Sequence, residues 1–373
     1  MGRQPHVHRA SVIAIRLVDI ADTIDLTAAE SLWVQQARTA AARSRLATAP
    51  PKAMTFGVPP VELTLGAIQV DIAGQTVQAT ALARLYEFGV AAFSIRVPAD
   101  DLPWPDFSAR VNAVDASLGI ASGTDLWNRL VVQITGIMRP ALLRPNQAPL
   151  HEDYLLGLVH SLEGVTSTAA LHDELDLVPL LAGESRPLSE QARQELLRQR
   201  FSYYTDDLAV LTWDRAFIYE PRDDSDVADV LEVANAQLLE LRYYDELLDA
   251  ELPRMYDLVE ATHHVANPFA ARRYADLARH LYTLVAEVTE ITEKVDNALQ
   301  VTEDVYLARV YAAALELFRV PHVSKAVDRK LSIIRDSYSA LYEEASGKRG
   351  ELLELAIIAL IVVEIVIAVI RHV

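Results

Sequence analysis

The segment Leu352 to Ile370, LLELAIIALIVVEIVIAVI, constrains this chain more than any other. From Leu355 to Ile370 it holds twelve Ile, Leu and Val residues, and Glu364 is its one non-apolar residue. At a rise of about 1.5 Å per residue the nineteen residues span roughly 28 Å, close to a bilayer core of ~30 Å. Each branched residue favours insertion by about 0.3–0.6 kcal/mol, against about 3 kcal/mol for one central carboxylate. The sequence therefore predicts a single C-terminal transmembrane helix over residues 351–371, a tail anchor. Lys348 and Arg349 on one side of it, with Arg371 on the other, place the bulk of the chain on the cytoplasmic side of a bacterial inner membrane.

The remaining chain has room for more than one core, since half of its 373 residues are hydrophobic. Absence of cysteine excludes disulfides and thiolate metal sites. The formal charge of −18 argues against nucleic-acid or anionic-lipid surfaces, most of all between Glu220 and Glu260, where thirteen acids face three arginines. Arg16 and Asp19 interrupt the apolar run near the N-terminus, which reads as a strand and not as a signal peptide.

Four regions follow from pattern and punctuation. Residues 1–53 hold a strand near Val12 to Val18 and a helix from Glu30 to Arg45. Residues 54–221 form an α+β or α/β domain with no assignable strand order. There VELTLGAIQVDI, the turn at Ala73-Gly74, and VQATALARLYEFGVAAFSIRV make a meander, and Ser108 to Leu118 and Asp125 to Leu143 are helical. YLLGLVHSL is a strand, LSEQARQELLRQR a helix, and DDLAVLTWDRAFIYEP a hairpin. Residues 222–348 change character. Apolar residues recur at three-four spacing from Leu231 through Leu241 and Leu248 to Val259, and again from Tyr274 through Leu284 to Ala298. These heptad seams predict a coiled-coil-like stalk with an antiparallel hairpin, 225–260 against 268–300, and later helices over 303–319 and 323–346.

Few residues stand out chemically. Asp245 falls on the first seam, where Arg242, one turn earlier, is its expected partner. DDSDVAD, 223–229, lacks the glycine and distal glutamate of a calcium loop. His263-His264 has no carboxylate at metal-ligand spacing, and no phosphate loop, dinucleotide turn or serine elbow is present. No catalytic residue, cofactor or metal ligand is assigned. Glu364 and Glu354, in and beside the apolar run, are the candidate contacts between anchors of a homo-oligomer, since an intramembrane carboxylate normally faces protein or a water-filled path.

Three segments resemble the "required for meiotic nuclear division" family: LYEFGVAAFSI (85–95), LLAGESRPLSEQARQELLRQRF (180–201), and Leu353-Glu354 with IIALIVVEI. The chain departs from it at Leu355, where tryptophan is usual, and in a longer helical region near 223–300. The resemblance implies a homo-oligomeric membrane protein, whose mitochondrial members support translation of membrane-encoded products. The expected function is a tail-anchored, non-enzymatic scaffold or interaction protein. The alternatives are an oligomeric cation channel lined by Glu364 and a membrane-bound enzyme.

Overall fold

The computed structural model describes residues 5–37, 41–43, 58–122, 124–147, 149–163, 171, 175–184, 186–222, 226–263, 279, 282, 283, 285, 286, 288, 289, 305–337 and 339. The chain divides into two compact units, residues 1–243 with 294–321, and residues 244–293 with 322–373.

The first unit is organised by β1, His6–Asp19, a fourteen-residue strand that is buried along most of its length. It pairs antiparallel on one side with β6 (Val90–Pro98) and on the other with β9 (His151–Leu162). Outward from β6 run β5 (Gln75–Leu85), β4 (Val61–Ile72) and β3 (Ala41–Arg43). Outward from β9 lie β12 (Arg215–Tyr219), β11 (Leu208–Leu211) and β10 (Arg200–Phe201). A two-residue strand β7 (Leu102–Pro103) also pairs with β1, and β12 runs parallel to β9, so the ten-stranded sheet is mixed. A separate ladder joins β2 (Ala21–Ile24) to β8 (Leu142–Pro145).

A sheet buried on both faces needs cover on both. One face carries Val12, Ala14, Leu155 and Val159 and packs under helix α2 (Trp104–Leu118), which presents Phe107, Val111, Val114 and Leu118. A Cβ on Gly157 of β9 would lie 3.6–3.7 Å from side-chain atoms of Leu180, Val111 and Phe107, so the helix sits close to the strand. Trp104 meets Phe217 of β12 edge-on at 5.5 Å. Helices α1 (Leu26–Ala37), α3 (Leu126–Met138) and α4 (Val178–Ala182) extend this layer. Asp25 caps α1 through the Thr27 and Ala28 amides, and Ser189 caps α5 (Glu190–Leu196) through the Ala192 amide.

The opposite face, bearing Ile15, Leu17 and Tyr154, is covered by the start of α6 (Val227–His263) and by α7 (Val305–Leu317) with Phe318 behind it. Tyr154 stacks edge-on against Phe318 at 5.4 Å, and Tyr311 donates to Gln237 at 2.7 Å. Residues 230–236 of α6 are buried all round. A two-helix seam would bury one stripe only, so these turns act as a layer of the sheet domain where a free stalk was expected from 222 onward. Arg319 takes a left-handed conformation (φ 57°) between α7 and the helical residues 320–337. Helix α6 continues through Pro253. In the second unit, Lys330 lies 2.6 Å from both Asp245 and Asp249.

The expected C-terminal transmembrane helix is corrected here. Among the described residues no helix is long and apolar enough to cross a membrane. The longest, α6, carries charged residues along its whole length. Residues 351–371, with Glu354 and Glu364, lie outside the described residues, as do 264–278 and most of the second heptad seam. The fold class is a large mixed-sheet domain followed by helices, and the membrane, transmembrane and tail-anchored attributions are withdrawn with the span.

Candidate functional site

Among the described residues of the first unit, charged side chains gather at four places, three of them buried and one at the surface. The first is set by β5 and β4 against α6. Arg84 donates from Nη1 to Asp229 Oδ1 at 2.7 Å and Glu232 Oε1 at 3.0 Å, and from Nη2 to Glu62 Oε2 at 3.2 Å. The Tyr86 hydroxyl donates to Glu232 at 2.6 Å. Burial alone would lower the Arg84 pKa, but the carboxylates of Glu232 and Asp229 outweigh it and hold the guanidinium charged. Burial pushes Glu232 up against the opposing pull of Arg84. This cluster ties the sheet to α6.

A second clamp sits on the opposite face. Arg215 of β12 donates to Asn112 Oδ1 (2.9 Å), the Leu180 carbonyl (3.0 Å), Asp115 Oδ2 (2.8 Å) and Asp214 Oδ2 (3.3 Å). The Gly183 turn passes so near that a Cβ there would meet Arg215 Nη2 at 2.4 Å, and its φ of 64° also favours glycine. That contact accounts physically for the glycine of LLAGESRP.

Asp19 closes the C-terminal end of β1 and is 2% exposed, with Oδ2 lacking a hydrogen-bond partner. Burial, then the charge of Asp22, raises its pKa from 3.8 to about 7. Tyr243 and Glu240 of α6 belong to the same surroundings, and burial with Asp22, Asp19 and Glu240 raises the Tyr243 phenol to about 12. Arg144, in a left-handed conformation, pairs with Asp22 at 2.7 Å. Folded protein thus binds a proton at Asp19 that the unfolded chain has lost, so stability falls as pH rises from about 4 to 7. The displacement corresponds to roughly 4 kcal/mol at most. Asp19→Asn should remove that slope and stabilise the protein at pH 8; urea denaturation of both proteins at pH 5 and pH 8 checks it.

At the surface, β1 brings His6 and His8 beside Asp101, with three possible ligand atoms within 4.8 Å of one another. An open groove of about 530 Å³ adjoins them, with Arg9, Ser11, Arg96, Asp100 and His160 in its wall. A different surface feature lies at the β10 edge. Tyr203 and Tyr204 are 59% and 46% exposed and perpendicular at 4.8 Å; Tyr306 packs on Tyr203, and Arg222 lies over the Tyr204 ring.

The pair read from the sequence has other partners. Arg242 donates to Glu152 of β9, and Asp245 is met by Lys330. Burial raises Glu152 against the pull of Arg242. Sequence reasoning missed His6, His8 and Asp101. Two histidines two residues apart on one strand share a face, a signal that was present, but Asp101 is almost a hundred residues away.

Residues 9–226 match the family model described as "Uncharacterized protein MJ0711, N-terminal domain". The chain belongs to that family. Its sheet domain therefore falls largely within the matched residues, with the whole Arg215 clamp, while Asp229 and Glu232 of the Arg84 cluster lie beyond them. The chain is 28% identical over 193 residues to "Uncharacterized protein MJ0711" of Methanocaldococcus jannaschii, over 52% of this chain and 58% of that protein. It thus spans less than two thirds of that relative's length. No solved structure matches. Neither match carries the link to the meiotic nuclear division family; what stands is membership of a family whose biochemistry is undefined.

Proposed function

We propose that this protein is a homo-oligomeric interaction protein, self-associating through the β10 edge. The observation that carries the reading is the aromatic cluster Tyr203, Tyr204 and Tyr306 with Arg222. Tyrosine and arginine are enriched among the residues that dominate interface energetics, and tyrosine buries a large area with little loss of side-chain freedom. The loop bearing them is already ordered: Asp207 accepts from the Tyr203 amide at 2.8 Å and the Ser202 hydroxyl donates to the Tyr204 carbonyl at 2.6 Å.

Charge favours a second copy at this place. At −18, two copies repel across most of their surface. Here Arg222 faces Asp206 at 3.9 Å, so one cation offsets part of the loop's acidic charge. Strand β10 ends the sheet's strand order among the described residues, which places the aromatic cluster at an edge of the sheet.

Sedimentation equilibrium tests this. The parent chain should sediment as a dimer or larger species, and Tyr203→Ala/Tyr204→Ala should weaken association by at least about tenfold while leaving the far-UV circular dichroism unchanged. A parent that is monomeric at tens of micromolar, or a double variant with the parent's mass, refutes the reading.

A further inference from the structure

We infer that His6, His8 and Asp101 form a binding site for one divalent transition-metal ion of the zinc type. The argument begins with the backbone. Strand β1 changes register against β9 between Val7 and Arg9, so that His8 is the extra residue of a bulge. Val7 on one side of it is wholly buried, as is most of Ala10, while His6, His8 and Arg9 face outward. His6 and His8, two residues apart, share a face, and the bulge takes His8 out of the β9 register.

Both histidines sit on anchored backbone. The His6 carbonyl accepts from the Glu163 amide at 2.8 Å, and the His8 carbonyl accepts from the Asp101 amide at 3.4 Å. His6 also pairs with Pro103 of β7, just past Asp101. Asp101 has a left-handed conformation (φ 53°), which aspartate tolerates better than most residues. The three side chains therefore converge from two segments that hydrogen-bond to each other, and little ordering is left for a ligand to impose.

The side-chain geometry fits a cation between them better than direct pairing. His8 Nδ1 and Asp101 Oδ1 are 3.5 Å apart, long for a hydrogen bond. Two ligands on a tetrahedral zinc, each about 2.0–2.2 Å from the ion, lie roughly 3.4 Å from each other. The His6 and His8 rings are 5.1 Å apart at 54°, tilted and not stacked. Two imidazoles and one carboxylate suit zinc, cobalt and nickel, and three protein ligands leave at least one position for water or an exogenous ligand. Calcium and magnesium, which prefer all-oxygen sites, suit it poorly.

Calorimetric titration of the full chain, bearing no polyhistidine tag, with zinc chloride is the test. One equivalent should bind per chain, and His6→Gln, His8→Gln and Asp101→Asn should each weaken that binding at least about tenfold. Cobalt in place of zinc should give visible d–d bands that all three variants lose. Asparagine at 101 keeps the left-handed backbone accessible, so its loss of binding reports the carboxylate and not misfolding; matching circular dichroism of the metal-free variants confirms this. No binding by the parent, binding unchanged in all three variants, or equal affinity for magnesium overturns the inference.

Discussion

Gly89→Ala should leave the sheet domain unfolded at 25 °C. Gly89 closes the turn between β5 and β6 at φ 99°, with its amide donating to Tyr86 and its carbonyl accepting from Ile20. A Cβ there would lie 1.7 Å from the Ala21 carbonyl oxygen and 2.8 Å from its carbon. Neither partner is a side chain able to swing away, so either the turn or the β1–β2 connection must move. The conformational strain alone costs about 1–3 kcal/mol, and displacement of paired backbone adds to it. A loss above about 5 kcal/mol reaches the lower end of a domain's whole stability. Gly136→Ala is the control: the position is helical and a Cβ meets nothing within 4 Å, so stability should rise by about 0.5–1 kcal/mol. Thermal melts of the two variants beside the parent decide it, and a cooperative parent-like melt for Gly89→Ala would refute the turn's role.

Arg84→Met should cost about 3–5 kcal/mol, because it leaves Glu232, Asp229 and Glu62 with a buried cation removed from among them. The sign of its pH dependence follows from Glu232. Burial already raises that carboxyl, and loss of the guanidinium removes the opposing pull, so protonation relieves the variant as pH falls. The deficit against the parent should therefore be smaller at pH 5 than at pH 8. Arg84→Met/Glu232→Gln should recover part of the loss, since the uncompensated charge is gone while Tyr86 keeps an acceptor. Urea denaturation at both pH values measures all three proteins; a single variant within 1 kcal/mol of the parent at pH 8 would show that α6 is held on without this cluster.

Local signals were legible wherever one segment carries its own instructions. The β4–β5–β6 meander follows from alternation around Ala73-Gly74, and Asp25 and Ser189 are recognisable caps. Helix α2 begins earlier than expected, at Trp104, because Pro105 suits a first turn. Of the helix expected from Glu30 to Arg45, α1 holds the part up to Ala37, and Ala41–Arg43 form β3, whose pairing with β4 is a tertiary choice. Strand order was illegible for the same reason, since β9 pairs with both β1 and β12. Heptad spacing misled at 230–236, because a helix sandwiched in a domain satisfies the seam and also buries its other sides. Arg84 and Glu232 are 148 residues apart, and nothing in either neighbourhood announces the other.

The central place of β1 has a consequence for how the chain comes to be folded. It is synthesised before its partners β6 and β9, which follow only at Val90–Pro98 and His151–Leu162. At about 5–20 residues per second, the roughly 140 residues between the end of β1 and the end of β9 take on the order of ten to thirty seconds to synthesise. Through that interval a long apolar strand leaves the ribosome with one or no partner. Its pairings are of high sequence separation, which slows folding even for the finished chain. Nascent β1 is thus the segment of this protein most dependent on shielding during synthesis, and productive folding waits for the emergence of Leu162.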